Sequence, residues 1–190
     1  MPVELRFLTK NPGKYRELGE LIDSSKYNLL QDDTEINELQ TEDMSSLVND
    51  KILKAFEKIR RPLIVDHTGL HFDLLNGFPG GLTSVFFDKL GSEGIANLVG
   101  KSANRKVTAT TLIGFCDGKK IQTFKGQISG LVADAPRGTE GFQWDTIFIP
   151  DGYDKTFAEL GNKKKNEISM RKRAFDEFAK FLKSIPHAGP

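Results

Sequence analysis

The first apolar segment of the chain is followed by polar and cationic side chains in a pattern typical of an anion-binding turn. We predict a strand over residues 3–9, then a turn rich in Asn, Pro and Gly, and a helix over residues 14–24. A helix that starts directly after a strand and a tight turn presents free backbone N–H groups to an anion. Thr9 and Asn11 would add hydrogen-bond donors, and Lys14 would add a positive charge. The alternative is an ordinary strand-to-helix turn that binds nothing.

Three more polar side chains are candidates for the same ligand site. Asp66 and His67 come at the end of a short apolar strand predicted over residues 62–66, and in α/β proteins such strand ends face the ligand crevice. Lys51 belongs to a helix predicted over residues 41–60 and falls on its apolar face. Its spacing leaves two interpretations open: a lysine whose stem runs along the edge of the core, or an ammonium that points into a cleft.

The composition limits the classes of protein and ligand. With 190 residues and 38% hydrophobic residues, the chain is expected to form a single domain over residues 1–190. It has 27 basic and 26 acidic residues, so its net charge of +1 favours neither nucleic acid nor an anionic membrane as a partner. The single cysteine, Cys116, is expected to be a buried thiol in a reducing compartment. Neither a signal peptide nor a membrane span is predicted, and we expect a cytoplasmic location.

The order of the predicted elements indicates an α/β fold. We expect a long twisted mixed sheet with flanking helices that form two lobes around a central cleft. Aspartate and glycine at positions 117 and 118 are a hairpin signal between two of the strands. Beyond the elements named above, we predict strands over residues 105–115 and 119–125, an ordered aromatic loop region over 140–153 and a closing helix over 167–185.

Five blocks of the sequence, in order, resemble the motifs of the inosine triphosphate pyrophosphatase family. One such block is a weak signal, whereas five at compatible spacing are a strong one. Together they cover nearly the whole chain. The blocks are residues 7–14, 65–70, 75–80, 141–160 and 165–171.

The resemblance implies a substrate and an activity. Members of this family hydrolyse deaminated purine nucleoside triphosphates such as ITP, dITP and XTP to the monophosphate and pyrophosphate. They use Mg²⁺ and are usually homodimers. The predicted cleft between the two lobes would accordingly be a nucleotide cleft.

The resemblance also implies which residues hold the phosphates and the metal. It favours phosphate contact for Lys51 over a place along the core edge. Glu38 and Asp66 would hold a hydrated Mg²⁺, an ion that commonly takes one or two carboxylates together with phosphate oxygens. An exposed glutamate without a role is the alternative for Glu38. The phosphate-binding residues implied are Thr9, Asn11, Lys14, Lys51 and Lys165.

The purine base would be recognised near the end of the chain. By resemblance, Phe142 and Trp144 would stack on the base and Asp145 would contact its edge, although a packed aromatic core is the alternative for both rings. Arg171 would donate to the 6-oxo group of hypoxanthine or xanthine. The amino group of adenine would repel that donor, which allows strong rejection of ATP. Met170 lies beside this base site.

The sequence departs from the family pattern at the reaction centre. His67 stands where relatives carry a second carboxylate that ligates the metal or activates water. A neutral imidazole is a poor ligand for Mg²⁺, but it can act as a general base near neutral pH. Met170 replaces a histidine near the base, and Ser84 stands where many relatives carry a basic residue. The phosphate-binding residues are retained.

Retained binding residues with an altered reaction centre lead to two hypotheses. The leading one is a degenerate family member that binds ITP or dITP, turns it over slowly, and signals its presence to an effector protein partner, as relatives do in antiphage defence. The alternative is an active Mg²⁺-dependent pyrophosphatase that removes ITP, dITP and XTP from the nucleotide pool. A subunit that binds no ligand is disfavoured by the retained lysines.

Overall fold

The computed structural model describes residues 2–141 and 143–184, which form strands and helices in alternation. The strands are β1 (Val3–Leu8), β2 (Tyr27–Asp32), β3 (Leu63–Phe72), β4 (Pro79–Gly80), β5 (Lys106–Cys116), β6 (Ile121–Val132) and β7 (Phe148–Pro150). The helices are α1 (Pro12–Gly19), α2 (Met44–Ile59), α3 (Thr83–Ile95), α4 (Phe157–Ile168) and α5 (Met170–Ser184), with short 3₁₀ segments at Asp73–Leu75 and Gln143–Thr146 and a π-helical turn at Ala96–Gly100.

One mixed sheet contains the seven strands of the described residues. Its order is β2-β1-β3-β5-β6-β7, and β4 pairs with β3. The pairs of β1 with β2 and with β3 are parallel, while the pairs from β3 through β7 are antiparallel. This architecture confirms the predicted mixed sheet with flanking helices. The predicted hairpin is also confirmed, as β5 and β6.

Strand β3 is longer than predicted, and this changes the position of Asp66 and His67. The prediction ended the strand at Asp66, but β3 pairs with β5 without interruption as far as Phe72. The parallel neighbour β1 ends opposite Val65. The two polar residues therefore lie within a strand, at the point where one of its edges becomes open.

Helices cover both faces of the sheet because side chains of a strand alternate between faces. On one face, Ile64 packs with apolar residues of α1 and α5. On the other, Leu63 and Val65 pack with residues of α2. Cys116 is buried in this second layer, as predicted. A third cluster packs α3 and α4 against the outer half of β3.

Three helices differ from the sequence prediction. Helix α1 covers Pro12–Gly19 instead of residues 14–24. Asp43 caps α2, two residues after its predicted start, since its carboxylate accepts hydrogen bonds from the backbone N–H groups of Ser45 and Ser46. The predicted closing helix is interrupted at Ser169, whose extended backbone separates α4 from α5.

No helix within residues 2–141 and 143–184 combines the length and the apolarity needed to cross a bilayer.

Docking of α5 on the sheet requires a glycine at position 126. A Cβ atom at Gly126 in β6 would overlap the Met170 carbonyl oxygen and the Ala174 amide nitrogen. We therefore expect Gly126→Ala to lower the free energy of unfolding by about 1–3 kcal/mol, the usual cost of overpacking. Urea denaturation measures this, with Gly19→Ala as a control because a Cβ there meets Leu29 only at 3.9 Å. Equal stability of the two variants would contradict this packing argument.

Candidate functional site

A cavity of about 560 Å³ opens where β1 ends. Because the edge of β3 is open beyond Val65, residues from both faces of the strand reach this cavity. Asp66 faces α1 and α5, whereas His67 faces the loop that follows β4. The other lining residues come from α1, α2, α4, α5 and the Gln143–Thr146 turn, and they include Asn11, Lys14, Glu17, Glu38, Lys51, Trp144, Asp145, Lys165, Met170 and Arg171.

The Asp66 carboxylate is the centre of a cluster of cations. Its side chain is only 3% exposed, and Lys14 Nζ donates to its Oδ2 at 2.7 Å. Arg171 Nε lies 3.8 Å from the same oxygen, and Lys51 Nζ donates to the Asp66 carbonyl at 3.2 Å. Burial alone would raise the pKa of Asp66, but the three cations outweigh it and lower that pKa to about 2. Asp66 is therefore ionised, and it brings cations from three helices together.

The turn before α1 is ordered by the residues that were predicted to bind phosphate. Asn11 Oδ1 accepts hydrogen bonds from the backbone N–H groups of Gly13 and Lys14, and the Asn11 N–H donates to Thr9 Oγ1 at 3.1 Å. This cap uses the carbonyl oxygen of Asn11, so its amide nitrogen is the donor that can reach a ligand. Thr9 lines an adjoining cavity of about 740 Å³, which shares Asn11, Lys14, Glu38, Lys51 and Asp66 with the first.

The structure decides between the two interpretations of Lys51. Its ammonium lies in the cleft, where it forms an ion pair with Glu38, and its side chain is only 12% exposed. Burial acts to raise the pKa of Glu38, but the Lys51 ammonium outweighs it, and the pKa is lowered. Glu38 therefore lines the cleft and is not an isolated surface residue.

His67 is held by the loop after β4. Its Nε2 lies 3.0 Å from the carbonyl oxygen of Gly81. Since a carbonyl only accepts, Nε2 carries the proton, and the lone pair of the neutral ring is on Nδ1. Burial, reinforced by Lys51, lowers the pKa of His67, which favours this neutral form. The loop can lie so close to β3 because Gly69 has no Cβ to overlap Gly80.

Trp144 and Asp145, two of the residues predicted to bind the base, line the same cavity together with Lys165. Lys165 forms an ion pair with Asp145, which is 1% exposed, and its ammonium lies 5.8 Å from the centroid of the Phe157 ring. Trp144 packs edge-on against Phe148 with ring centroids 5.6 Å apart, so it belongs to the core as well as to the cavity wall. Lys165, predicted to bind phosphate, therefore lies beside Asp145.

Two further residues predicted to bind the base have different positions. Met170 is buried in the core cluster and also lines the cavity. Phe142 lies outside the described residues.

Glu17 lines the cavity but was not among the sequence-predicted residues. It lies one helical turn after Lys14 on the same face of α1. Its Oε2 is 3.7 Å from Arg171 Nη1, and among the described residues neither Glu17 Oε1 nor Arg171 Nε has a hydrogen-bond partner. Burial raises the pKa of Glu17, while Arg171 opposes that change. Arg171 is thus held loosely between two carboxylates, and it retains donors for a ligand.

The carboxylates fit a metal ion only in combination with a phosphorylated ligand. No group of three or more His, Cys, Asp or Glu residues within the described part of the chain could hold a metal ion. Glu38 and Asp66 do line the same cleft, and Mg²⁺ that arrives with a triphosphate needs only one or two carboxylates. These two residues would hold such an ion.

The cleft lies beside the central strand of a mixed sheet flanked by helices and is lined by three lysines and two arginines, which defines an α/β protein with a cation-lined cleft. The sequence matches the Ham1 family over residues 5–181, and the chain belongs to that family. This confirms the resemblance found from the motifs.

Relatives and solved structures agree with this assignment. A dITP/XTP pyrophosphatase of Methanopyrus kandleri is 38% identical over 183 residues, 96% of this chain and 97% of the relative. One of Saccharolobus solfataricus is also 38% identical, over 96% of this chain and 95% of the relative. The Staphylococcus aureus Ham1 protein has a TM-score of 0.80 at 25% identity, covering 95% of this chain and 98% of the other. A HAM1 protein from Coxiella burnetii has a TM-score of 0.82 at 24% identity, with 96% and 100% covered, and shows the same fold.

Removal of Lys14 tests the ion pair at Asp66. We expect Lys14→Met to lower the free energy of unfolding by about 2 kcal/mol at neutral pH, because the pKa of Asp66 is held below its unfolded value. A carboxyl group whose pKa is lower in the folded than in the unfolded state stabilises the fold at pH values above the unfolded pKa. This stabilisation is lost as the pH falls toward the folded pKa of about 2. The stability difference between wild type and variant should therefore shrink below about pH 4.

Urea denaturation at pH 6.5 and pH 3 measures both effects. Lys10→Met is the matched control, because Lys10 pairs with Glu35 on the exposed surface, and it should leave the free energy of unfolding nearly unchanged. A difference for Lys14→Met that does not vary with pH would contradict the assignment to Asp66.

Proposed function

We propose that this protein hydrolyses deaminated purine nucleoside triphosphates, such as dITP and XTP, to the monophosphate and pyrophosphate. The observation that carries the proposal is one cavity that is lined both by Lys14 and Lys51 and by Trp144, Lys165 and Arg171. Two relatives, each 38% identical over nearly their whole length, are named dITP/XTP pyrophosphatases. They favour the hydrolase, the alternative of our sequence analysis, over the nucleotide sensor.

The proposed position of the phosphates is the shared wall of the two cavities. Lys14 and Lys51 lie on this wall, and the side-chain amide nitrogen of Asn11, which the helix cap does not use, is a further donor there. Ammonium groups and N–H donors are the usual partners of phosphate oxygens. A triphosphate there would extend away from the Trp144 end.

The proposed position of the base is between Trp144 and Arg171. Arg171 and Lys165 are both donors, so they suit a purine with a 6-oxo group. The amino group of an adenine is itself a donor, so it would face these cationic donors without a hydrogen bond. This arrangement would exclude ATP and dATP.

His67 is the proposed general base. Its Nδ1 would take a proton from a water molecule whose oxygen attacks the α-phosphorus. The bond from that phosphorus to the oxygen bridging to the β-phosphorus breaks, and pyrophosphate leaves with the electron pair. Mg²⁺ held by Glu38 and Asp66 would stabilise the developing negative charge. Gly81 fixes the ring tautomer and so acts as a positioning residue.

Binding without turnover is the second candidate. It is favoured by the imidazole at position 67 and by the pairing of both candidate metal ligands with lysines. A protein of this kind would keep dITP or ITP bound and report it to an effector partner. The effector, its place in antiphage defence, the homodimer and the cytoplasmic location stay predictions from the sequence.

One experiment separates the two candidates. Incubation with dITP, XTP or dATP and Mg²⁺ should release pyrophosphate from the first two at least about a hundredfold faster than from dATP, because only they match the donors at the base end. Affinity is measured in parallel. Tight binding of dITP without release would replace the hydrolase with the sensor, and no binding of any of the three nucleotides would exclude both.

Substitution of His67 tests the proposed base. His67→Asn keeps a polar side chain but removes the titratable nitrogen, and it should slow pyrophosphate release from dITP by about 10²–10⁴-fold while binding changes little. His71→Asn is the control, because His71 lies on the same strand, half-buried, with its Nδ1 bonded to Gly77. An unchanged rate for His67→Asn would remove His67 from the mechanism.

A further inference from the structure

Four of the five cations that line the cleft are each paired with a carboxylate of the same cleft, and Arg16 is the fifth. A bare phosphate chain would have to compete with the protein's own anions for these four cations. The pairs are Lys14 with Asp66, Lys51 with Glu38, Lys165 with Asp145, and Arg171 with Glu17.

Glu38 differs from the other three carboxylates in its surroundings. The side chains of Asp66, Asp145 and Glu17 are 10% exposed or less, whereas that of Glu38 is 36% exposed. Glu38 also lies in the segment between β2 and α2, outside any helix or strand. Since it keeps much of its contact with water, it is the carboxylate that can exchange partners at the lowest cost.

Lys51 has a second anchor that does not depend on Glu38. Its ammonium donates to the main-chain carbonyl of Asp66 in the central strand β3. Its stem is covered, which leaves the side chain 12% exposed. The ammonium would therefore stay in the cleft, with donors available, after Glu38 had moved away.

We propose that Glu38 is an internal counter-ion that occupies Lys51 in place of a phosphate and releases it when a divalent cation takes the carboxylate. The proposal rests on the triphosphate site described above and specifies how that site is controlled. Metal and phosphate then bind cooperatively, because each favours the state in which Glu38 and Lys51 are apart. A phosphate chain without its metal is disfavoured.

The test uses inorganic tripolyphosphate, which carries the phosphates without the base. Its affinity is measured by titration calorimetry in EDTA and as the magnesium complex. For the wild type we expect the magnesium complex to bind more tightly. Glu38→Gln should bind metal-free tripolyphosphate about fivefold more tightly than the wild type does, because Lys51 is released, and should lose the gain from Mg²⁺. A glutamate that only ligates the metal would leave the metal-free affinity unchanged.

Two controls isolate the pair. Glu42→Gln removes a negative charge from the same segment, but Glu42 lines neither cavity, so its metal-free affinity should stay near that of the wild type. In the background of Lys51→Met, Glu38→Gln should no longer raise the metal-free affinity. A rise that persists without Lys51, or that Glu42→Gln reproduces, would overturn the proposal in favour of a general charge effect.

Failure of this proposal and failure of the proposed function give different results. If the wild type binds tripolyphosphate and Glu38→Gln has the same or weaker metal-free affinity, Glu38 is not a counter-ion to Lys51 and the triphosphate site stands. If the wild type binds neither tripolyphosphate nor its magnesium complex, the triphosphate site itself is wrong, and the role of Glu38 falls with it.

Discussion

The cleft depends on one buried carboxylate. Lys14, Lys51 and Arg171 come from three different helices, and without a common anion their charges would repel one another in a region of low dielectric. Asp66 supplies that anion from β3, a strand bonded to neighbours on both sides. The dependence is mutual, because the carboxylate could not stay ionised at such burial without the cations. The helices and the strand are therefore linked by charge as well as by the apolar core.

The pairing of four cleft cations with carboxylates bears on selectivity. A ligand that contacts one of these cations replaces a carboxylate, so it gains only the difference between the two contacts. A small anion cannot replace several carboxylates at once, whereas a longer polyanion could replace more than one. The buried pair of Lys165 and Asp145 is costly to disturb unless the new partner matches its geometry. The pairing thus favours long, well-matched ligands over small ones.

The sequence predicted those features of the fold that depend on residues close together in the chain. The turn between β1 and α1, the apolar face of α2 and the hairpin of β5 and β6 depend on neighbours in the chain, and all three were predicted. Features that depend on distant partners were missed. The polar stretch after Val65 looks like a loop until β5 is known to pair with it, and the break at Ser169 is hidden within a continuous helical pattern.

The same reasoning applies to the site residues. The spacing of Lys51 could not decide between its two interpretations. Its partner Glu38 lies in an irregular segment, and the path of that segment cannot be predicted from the sequence. Glu17 was one helical turn from Lys14, and that spacing was the available signal. Its role becomes visible only when α5 brings Arg171 beside it.

The histidine at position 67 is matched by its surroundings. An aspartate there would have no proton to offer the Gly81 carbonyl, and its charge would add to those of Glu38 and Asp66 nearby. The imidazole N–H satisfies that carbonyl, and the neutral ring adds no charge next to the pair of Lys51 and Glu38. The loop from Gly80 is in turn tied to β3 through Thr83, which accepts from Leu70 and donates to Gly80. A histidine supported in this way is a consistent part of the site, and it places a lone pair, not a charge, next to the proposed phosphate position.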